Sequence, residues 1–582
     1  MPRARAALLA ATFLAGCAHA APAGPTPSDP AARVTQLADA YVAAYFDRYP
    51  EAATRLGLPN AANGRVIDNS LEAVERWRLS EDAWLRELRA VDTTTLAGTP
   101  AWATYGVLRE LLEGSVATRV CRGELWGLST SNPGWQSSYT SLAGVQPVGT
   151  DSLRAQALSR ARALPRFLRT EIVNLREGLR QSYTAPRVAV EGVLRQLDDL
   201  LALPPERSPF ASPARRDSTP AFRQALDETL ARELYPAMRA YREFLSREYL
   251  PRARAAIGVS ASPNGSACYV ASVRRFTTLA LSADEVYRAG ERELAATEAE
   301  MRALGERAFG TGDLPTLLRR LREDSAYTFH SRPEVLERTE EAIGRAKAAL
   351  PRWFGRLPRA DVRVLEYPEF RQRAGAAASY TPPADDGSRP GLFYTSTYQP
   401  ERIPRATVED VAYHEAVPGH HLQVAIAQER SGAHPITRYF FFSGYGEGWA
   451  LYAERLADEM GLYSGDLARM GMLAGRAHRA ARLEIDAGIH AGGWSRDRAL
   501  AFLTRHAMLP PTLAQGEIDR YITWPGQATA YMVGALAIEG LRQQAEERLG
   551  DRFDIREFHD RVLENGAVTL PMLQEQLERW VR

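Results

Sequence analysis

The chain has 582 residues, a formal net charge of +1, 45% hydrophobic residues and 25% charged residues. This composition is that of an ordinary globular protein and excludes a disordered or collagen-like chain. The balanced charge gives no sign of a nucleic-acid or polyanion partner. We therefore expect a large folded protein that acts on something other than nucleic acid.

The first residues have the features of an export signal. A basic start is followed by an apolar run over 6–15 that is too short to span a bilayer. The run ends in Leu-Ala-Gly-Cys at Cys17, which resembles a bacterial lipobox. We predict a lipoprotein signal peptide over 1–16 and a lipidated Cys17 with a flexible tether over 17–30. The lipid would be the only membrane contact, at the outer membrane facing the periplasm. A plain secretory signal cleaved near 18–20 is the alternative.

Helical periodicity dominates the chain from Asp29 onward, with Pro- and Gly-rich breaks between the segments. We predict a helical region over 31–360 and a second region over 361–582, together forming one fold around a cleft. Two cysteines, Cys121 and Cys268, remain for one disulfide in an exported protein, although no spacing shows that they meet. The clearest predicted helices are 33–48, 151–182, 221–249, 283–307 and 333–350.

Strand-forming patterns are sparse and occur at 361–367 and 391–397. We expect these segments to form a small sheet. The Pro- and Gly-rich loop over 381–391 would lie at the rim of the cleft. Arg389 and Tyr394 are weaker candidates for substrate contacts, with a purely structural role as the alternative.

A histidine-rich motif follows these strands. Metallopeptidases commonly carry the pattern H-E-x-x-H, in which two His bind zinc and the Glu acts as general base toward water. Here His414 and Glu415 supply the first half, but the position four residues after His414 is Pro418. The next histidines are His420 and His421.

Two further residues explain how a later histidine can reach the metal. On a straight helix His420 faces away from His414, and His421 lies about 10 Å farther along the axis. Pro418 cannot donate the hydrogen bond that continues a helix, and Gly419 tolerates unusual backbone angles. We therefore predict a bulge that returns His420 to the metal. His421 is the alternative ligand and otherwise a substrate contact.

Catalytic zinc sites have three protein ligands, and Glu447 is the candidate for the third. Glycines on both sides of Glu447 would allow close approach of another backbone or of substrate. Glu454, on the same helix face, and Gln423 are candidates to hydrogen-bond a ligand from behind. Two His and one Glu favour zinc. The alternative is that both glutamates are ordinary exposed helix carboxylates.

Two candidates for stabilising a developing oxyanion lie downstream. One helix face carries three polar residues spaced four apart, namely Arg482, Asp486 and His490. Burying such polar side chains costs free energy, so a functional role is expected for them. We predict that His490 donates to the oxyanion and that Asp486 supports the site. A salt-bridge network between the two is the alternative. Tyr531, one turn into a helix predicted to begin at residue 527, is the second candidate donor.

Four segments carry a family resemblance: HEAVPGHHLQ, EGWALYAERLADEMGLY, RLEIDAGIH and RYITWPGQATAYMVGALAIEGLR. Over roughly residues 31–582 the chain resembles the bacterial family called domain of unknown function 885, which is grouped with zinc metallopeptidases of the gluzincin type. The resemblance implies a mainly α, multi-helical zinc-peptidase-like fold with a small edge β-sheet near the metal helix. It supplies no substrate.

These observations lead to one functional hypothesis. The region 361–582 would hold one zinc through His414, His420 and Glu447, with Glu415 as the base that hydrolyses peptide bonds in short peptides. One alternative is a zinc hydrolase of non-peptide amides or esters. Another is a non-catalytic envelope lipoprotein that contains zinc. The sequence leaves open the cleavage position, the biological substrate and the oligomeric state.

Overall fold

The structure, a computed structural model, describes residues 29–582 except for 132–133, 368–371, 373–377, 385–386, 388 and 431. The predicted signal peptide, Cys17 and nearly all of the predicted tether therefore lie outside the described residues. Among the residues that are described, no helix combines the length and apolar character needed to cross a membrane.

Helices form most of the described residues between 29 and 350, and many begin at a proline, whose missing N–H costs nothing in a first turn. Two short π-helical turns make 220–249 nearly continuous, and all five helices predicted above are confirmed. The helices are α1 Pro30–Arg48, α2 Pro50–Arg55, α3 Leu71–Arg89, α4 Pro100–Thr118, α5 Trp135–Val145, α6 Asp151–Arg180, α7 Arg187–Ala202, α8 Ser212–Arg215, α9 Pro220–Thr229, α10 Tyr235–Phe244, α11 Gly265–Thr277, α12 Ala283–Phe309, α13 Leu314–Glu323 and α14 Arg332–Ala349.

A three-stranded sheet follows, formed by β1 (Val362–Glu366), β2 (Ala378–Thr381) and β3 (Gly391–Thr395). The order is β1-β3-β2, with β1 parallel and β2 antiparallel to the central β3. Two of these strands match the predicted segments, whereas β2 was not predicted. The expectation of a mainly α fold with a small sheet is confirmed.

The rest of the chain is helical again. Its helices are α15 Arg405–Glu415, α16 His420–Gln428, α17 Ile436–Tyr439, α18 Ser443–Glu459, α19 Asp466–His490, α20 Arg496–His506, α21 Pro511–Thr523, α22 Ala530–Leu549, α23 Ile555–Leu563 and α24 Leu570–Trp580. Helix α15 packs against α14, α18, α19 and β2, and α18 packs along α22. These contacts bring the histidine motif, the Glu447 helix and the Tyr531 helix together.

Two hydrophobic clusters support this arrangement. The larger one takes residues from Leu37 to Leu577, so it draws on both regions predicted from the sequence. The smaller one lies between Leu128 and Ala253. A disulfide joins Cys121 to Cys268, which the sequence had left open, and their Cα atoms are 4.7 Å apart. This bond ties α11 to the short turn that follows α4.

Candidate metal centre

The histidine motif is interrupted by a sharp bulge. Helix α15 ends at Glu415, and α16 begins at His420. Between them the Val417–Pro418 peptide bond is cis, and the N–H of Gly419 donates to the carbonyl of Tyr413 at 2.9 Å. A Cβ atom on Gly419 would lie 2.0 Å from the carbonyl oxygen of His414, so no side chain fits there. The structure thus contains the bulge predicted from the Pro-Gly pair.

The bulge places the two histidines and the glutamate against one another. The Nε2 atoms of His414 and His420 lie 3.6 Å and 3.4 Å from the same oxygen, Oε2 of Glu447. One ligand atom from each residue lies within 4.8 Å of the other two. In a tetrahedral zinc site with bonds of about 2.0–2.1 Å, neighbouring ligand atoms are about 3.3 Å apart. The two distances from the histidines to Glu447 are close to this spacing.

Acidic groups surround His414. Its Nδ1 atom lies 2.7 Å from Oε1 of Glu454, a buried carboxylate on α18, and this leaves Nε2 to face Glu447. Burial alone would lower the pKa of His414, but hydrogen bonds with Glu447 and Glu454 outweigh it and raise that pKa to about 10. Burial would raise the pKa of Glu447, but His414 and His420 hold it well below its usual range. The site thus favours a cation at this point.

A further layer lies behind Glu454. Arg479 on α19 approaches the Glu454 carboxylate at 3.6 Å, and Asp410 lies next to it, one helical turn before His414. Burial and the neighbouring Glu454 raise the pKa of Asp410 well above its usual range. The Tyr463 hydroxyl donates to Asp410 at 3.1 Å. Glu454 therefore contacts the ring nitrogen of His414 that does not face Glu447.

Close packing of two helices brings Tyr531 to the site. A Cβ atom on Gly448 would lie 2.5 Å from the Cα atom of Gly534, so α18 and α22 approach as closely as backbones can. Tyr531 lies at the start of α22, half-buried, and burial together with the charge of Glu447 raises its pKa. The hydroxyl of Tyr531 hydrogen-bonds to Gln527 and is close enough to Glu447 to be influenced by its charge.

Glu415 has the freedom that a general base needs. It is the last residue of α15, directly after His414, and its side chain is half-buried. Within the part of the chain that the structure describes, no hydrogen bond engages its carboxylate. Its charge acts on His414. The group predicted to accept a proton from water therefore follows the first candidate ligand directly and has no hydrogen bond to the described residues.

His421 points into the sheet rather than toward the ligands. Its Nε2 donates to the Ala360 carbonyl at 3.0 Å, and its Nδ1 lies 3.0 Å from the Tyr380 hydroxyl. Burial lowers its pKa, which keeps the ring neutral. Both ring nitrogens are occupied, so the alternative of His421 as a ligand, and its expected substrate contact, are corrected to a role in attaching the sheet to α16.

His490 and Asp486 also have structural roles. His490 is fully buried, with Nε2 donating to the Tyr521 carbonyl at 2.9 Å and Nδ1 accepting from the Val259 N–H at 3.1 Å. Burial lowers the pKa of His490 to about 3. Asp486 accepts from the Gly526 N–H at 3.0 Å, and burial raises its pKa to about 7. Backbone groups occupy both ring nitrogens of His490, so its expected oxyanion role is corrected to a structural one. Asp486 binds the backbone N–H of Gly526, so its expected support of the site is corrected as well.

The remaining weak candidates are also engaged elsewhere. Arg389 donates to the carbonyls of Pro382 and Pro390 and so holds its own loop. Tyr394 stacks on Tyr367 at 5.3 Å between ring centres, on the opposite face of β3 from the buried Phe393. Their predicted substrate contacts are replaced by these structural ones.

Gln423 is buried beside the hydroxyl group of Tyr445, on the first turns of α16. That hydroxyl donates to the carbonyl of Val562. The predicted support of a metal ligand by Gln423 is therefore corrected, because its side chain faces α18 and α23 instead.

Comparison with known proteins matches most of the chain to one family. The family described as "Bacterial protein of unknown function (DUF885)" matches residues 50–577. The chain belongs to this family. A "putative lipoprotein" from Colwellia psychrerythraea has a similar structure, with a TM-score of 0.87 and 25% identity over 95% of this chain and 99% of that one. A "putative lipoprotein of unknown function" from Shewanella oneidensis shares the fold, with a TM-score of 0.73 and 17% identity over 94% and 99%. No match was found among curated proteins.

Two features of the site were missed from the sequence. Phe441 was not singled out; this residue is 52% exposed, packs on Gly446, and its ring centre lies 6.4 Å from that of His420. An exposed aromatic ring beside a ligand provides an apolar surface for a substrate side chain. Asp410 was missed as well, although its position four residues before His414 placed both on one helix face.

Proposed function

We propose that this protein is a zinc-dependent hydrolase of peptide bonds. The observation that carries the proposal is the convergence of two histidine Nε2 atoms on a single oxygen of Glu447, at 3.6 Å and 3.4 Å. Two His and one Glu are the donor set of catalytic zinc sites that keep a fourth position for water or substrate. A structural zinc site usually closes that position with a fourth protein ligand, and the donor cluster in the described residues contains three.

The donor chemistry fits zinc in a second way. Ligand histidines almost always donate their other N–H to a carboxylate or carbonyl, which fixes the tautomer and increases the basicity of the ligand. Glu454 accepts from Nδ1 of His414 in this manner. The fit therefore extends beyond the three ligands to the group behind one of them.

Bound zinc would supply Lewis-acid polarisation of a carbonyl group and activation of water. Glu415, adjacent to the ligands and free of hydrogen bonds to the described residues, would take the proton of the attacking water and pass it to the leaving amine. The Tyr531 hydroxyl would donate to the oxygen on which negative charge develops. Strand β2, packed against α15, would offer a backbone edge to an extended substrate.

The same proposal includes attachment to the bacterial envelope through Cys17. Two similar structures are described as putative lipoproteins, and Cys17 ends a Leu-Ala-Gly-Cys sequence. A disulfide between Cys121 and Cys268 is also in keeping with an oxidising compartment.

A substrate panel tests the activity. The zinc-loaded full chain is incubated with short unblocked peptides, acyl esters and non-peptide amides, and products are identified by mass spectrometry. We expect peptide cleavage that stops when zinc is chelated and resumes when it is returned. The Glu415→Gln protein is the matched control for a contaminating peptidase. Cleavage of esters or non-peptide amides alone would contradict the peptidase assignment, and turnover of nothing in the panel would contradict the proposal.

A further inference from the structure

A cluster of buried charge lies on helices α19 and α21. The guanidinium groups of Arg482 and Arg520 donate to the same oxygen, Oε2 of Glu517, at 2.8 Å and 2.9 Å. The Tyr521 hydroxyl donates to that oxygen as well, at 2.6 Å. One carboxylate thus serves two guanidinium groups, and the cluster carries an excess of positive charge.

The arginines retain unused donors. Arg482 is only 7% exposed, and its Nη1 group, like Nε of Arg520, has no hydrogen-bond partner among the residues described. His478 adds no charge, because burial lowers its pKa well below the usual range. Burying a guanidinium with incomplete pairing is costly unless another anion completes it. The cluster is therefore suited to receive a second carboxylate.

Tyr531 and Gln527 connect this cluster to the candidate metal centre. The guanidinium carbon of Arg482 lies 4.6 Å from the centre of the Tyr531 ring. Tyr531 is also close to Glu447, and burial together with the charge of Glu447 raises the pKa of Tyr531. Gln527 accepts from Arg520 through its side-chain oxygen and hydrogen-bonds to Tyr531. The positive cluster therefore lies one aromatic residue away from Glu447.

We propose that Arg520 binds the free C-terminal carboxylate of a peptide, so that the peptide bond next to the chain end lies at the candidate metal centre. This inference rests on the proposed function and specifies it as a carboxypeptidase. Arg520 is the more accessible arginine, with 17% of its side chain exposed against 8% for Arg482. Glu517 and Arg482 position it. A planar guanidinium matches a carboxylate with two parallel hydrogen bonds, which makes it specific for this group.

Binding, measured without turnover, tests this inference separately from catalysis. Zinc-loaded Glu415→Gln protein is titrated calorimetrically with three probes that differ only at the end. These are an acetylated tripeptide ending in phenylalanine as the free acid, its C-terminal amide, and the amide of the analogue ending in glutamate. We expect the free acid to bind about 10- to 100-fold more tightly than either amide, the range for charge-assisted hydrogen bonds. Equal binding of acid and amide, or no binding of any probe, overturns the proposal, and tighter binding of the glutamate amide assigns the cluster to an acidic side chain instead.

Variants locate the effect. Arg520→Gln should reduce binding of the free acid to the level of the amide and leave the amide unchanged, whereas Arg520→Lys should retain part of the preference. Arg496→Gln is the matched control, because it removes an ion pair to Asp519, the neighbour of Arg520 on α21. This variant should change the binding of neither the free acid nor the amide. An unchanged preference in Arg520→Gln would overturn the assignment. Because the acid–amide comparison needs no variant at Arg520, a misfolded variant would not weaken the test. Peptide hydrolysis in the wild type together with equal binding of acid and amide would refute this inference alone.

Discussion

Replacing Glu454 by glutamine tests the support of the metal ligand. Oε1 of Glu454 lies 2.7 Å from Nδ1 of His414, and only 1% of the Glu454 side chain is exposed. Glutamine preserves the size of the side chain and an acceptor oxygen but removes the negative charge that increases the basicity of the ligand. Losing such a partner typically weakens metal binding about 10- to 100-fold, which corresponds to about 1.4–2.7 kcal/mol. The Kd for zinc should rise by that factor.

Competition with a chromophoric chelator measures this Kd at neutral pH. Glu459→Gln is the matched control, because Glu459 lies near the end of the same helix and pairs with Arg542 at the protein surface. That variant should bind zinc like the wild type. The Glu454 variant also leaves Arg479 without its carboxylate, so a lower unfolding temperature is expected alongside. An unchanged zinc Kd in correctly folded Glu454→Gln protein would refute the account of this second layer.

Three further predictions concern catalysis, specificity and stability. Glu415→Gln should retain zinc and lose at least about 10²-fold in kcat, the scale of general-base loss, so full activity would contradict the mechanism. Phe441→Ala should lower kcat/KM for peptides with an apolar residue next to the scissile bond by about 10-fold or more relative to peptides with a polar residue there. A competition assay read by mass spectrometry measures this ratio, and an unchanged ratio would exclude Phe441 from a substrate subsite. Replacing Cys121 and Cys268 by serine opens a loop closed across 147 residues. The entropy of closing such a loop corresponds to up to about 5 kcal/mol of stability, so Tm should fall. An equal Tm would show that the bond does not stabilise the fold.

Periodicity was sufficient to predict the long helices, because their apolar faces pack against the core at helical spacing. The strand Ala378–Thr381 was missed because its residues show little alternation, and it forms by pairing with β3 rather than through local preference. The partnership of Cys121 and Cys268 was likewise invisible, since it depends on contacts between segments far apart in sequence.

The site shows the same division between local and distant information. The bulge was predictable because Pro418 and Gly419 restrict the backbone locally. The stripe of Arg482, Asp486 and His490 was misinterpreted as a group of functional residues, because a sequence shows that polar residues share a helix face but not what satisfies them. Backbone groups of Gly526, Tyr521 and Val259 satisfy Asp486 and His490. Arg482 instead lies over the ring of Tyr531, at 4.6 Å from its centre.

Bound metal tests the central claim most directly. The full chain, His420→Ala and His421→Ala are each supplied with zinc, freed of excess ion and analysed for metal by mass spectrometry. We predict about one zinc per chain in the parent and in His421→Ala, and loss of that zinc in His420→Ala, because His420, unlike His421, faces Glu447. Loss in His421→Ala alone would contradict the ligand assignment. Absence of zinc from the parent would contradict the metal centre itself.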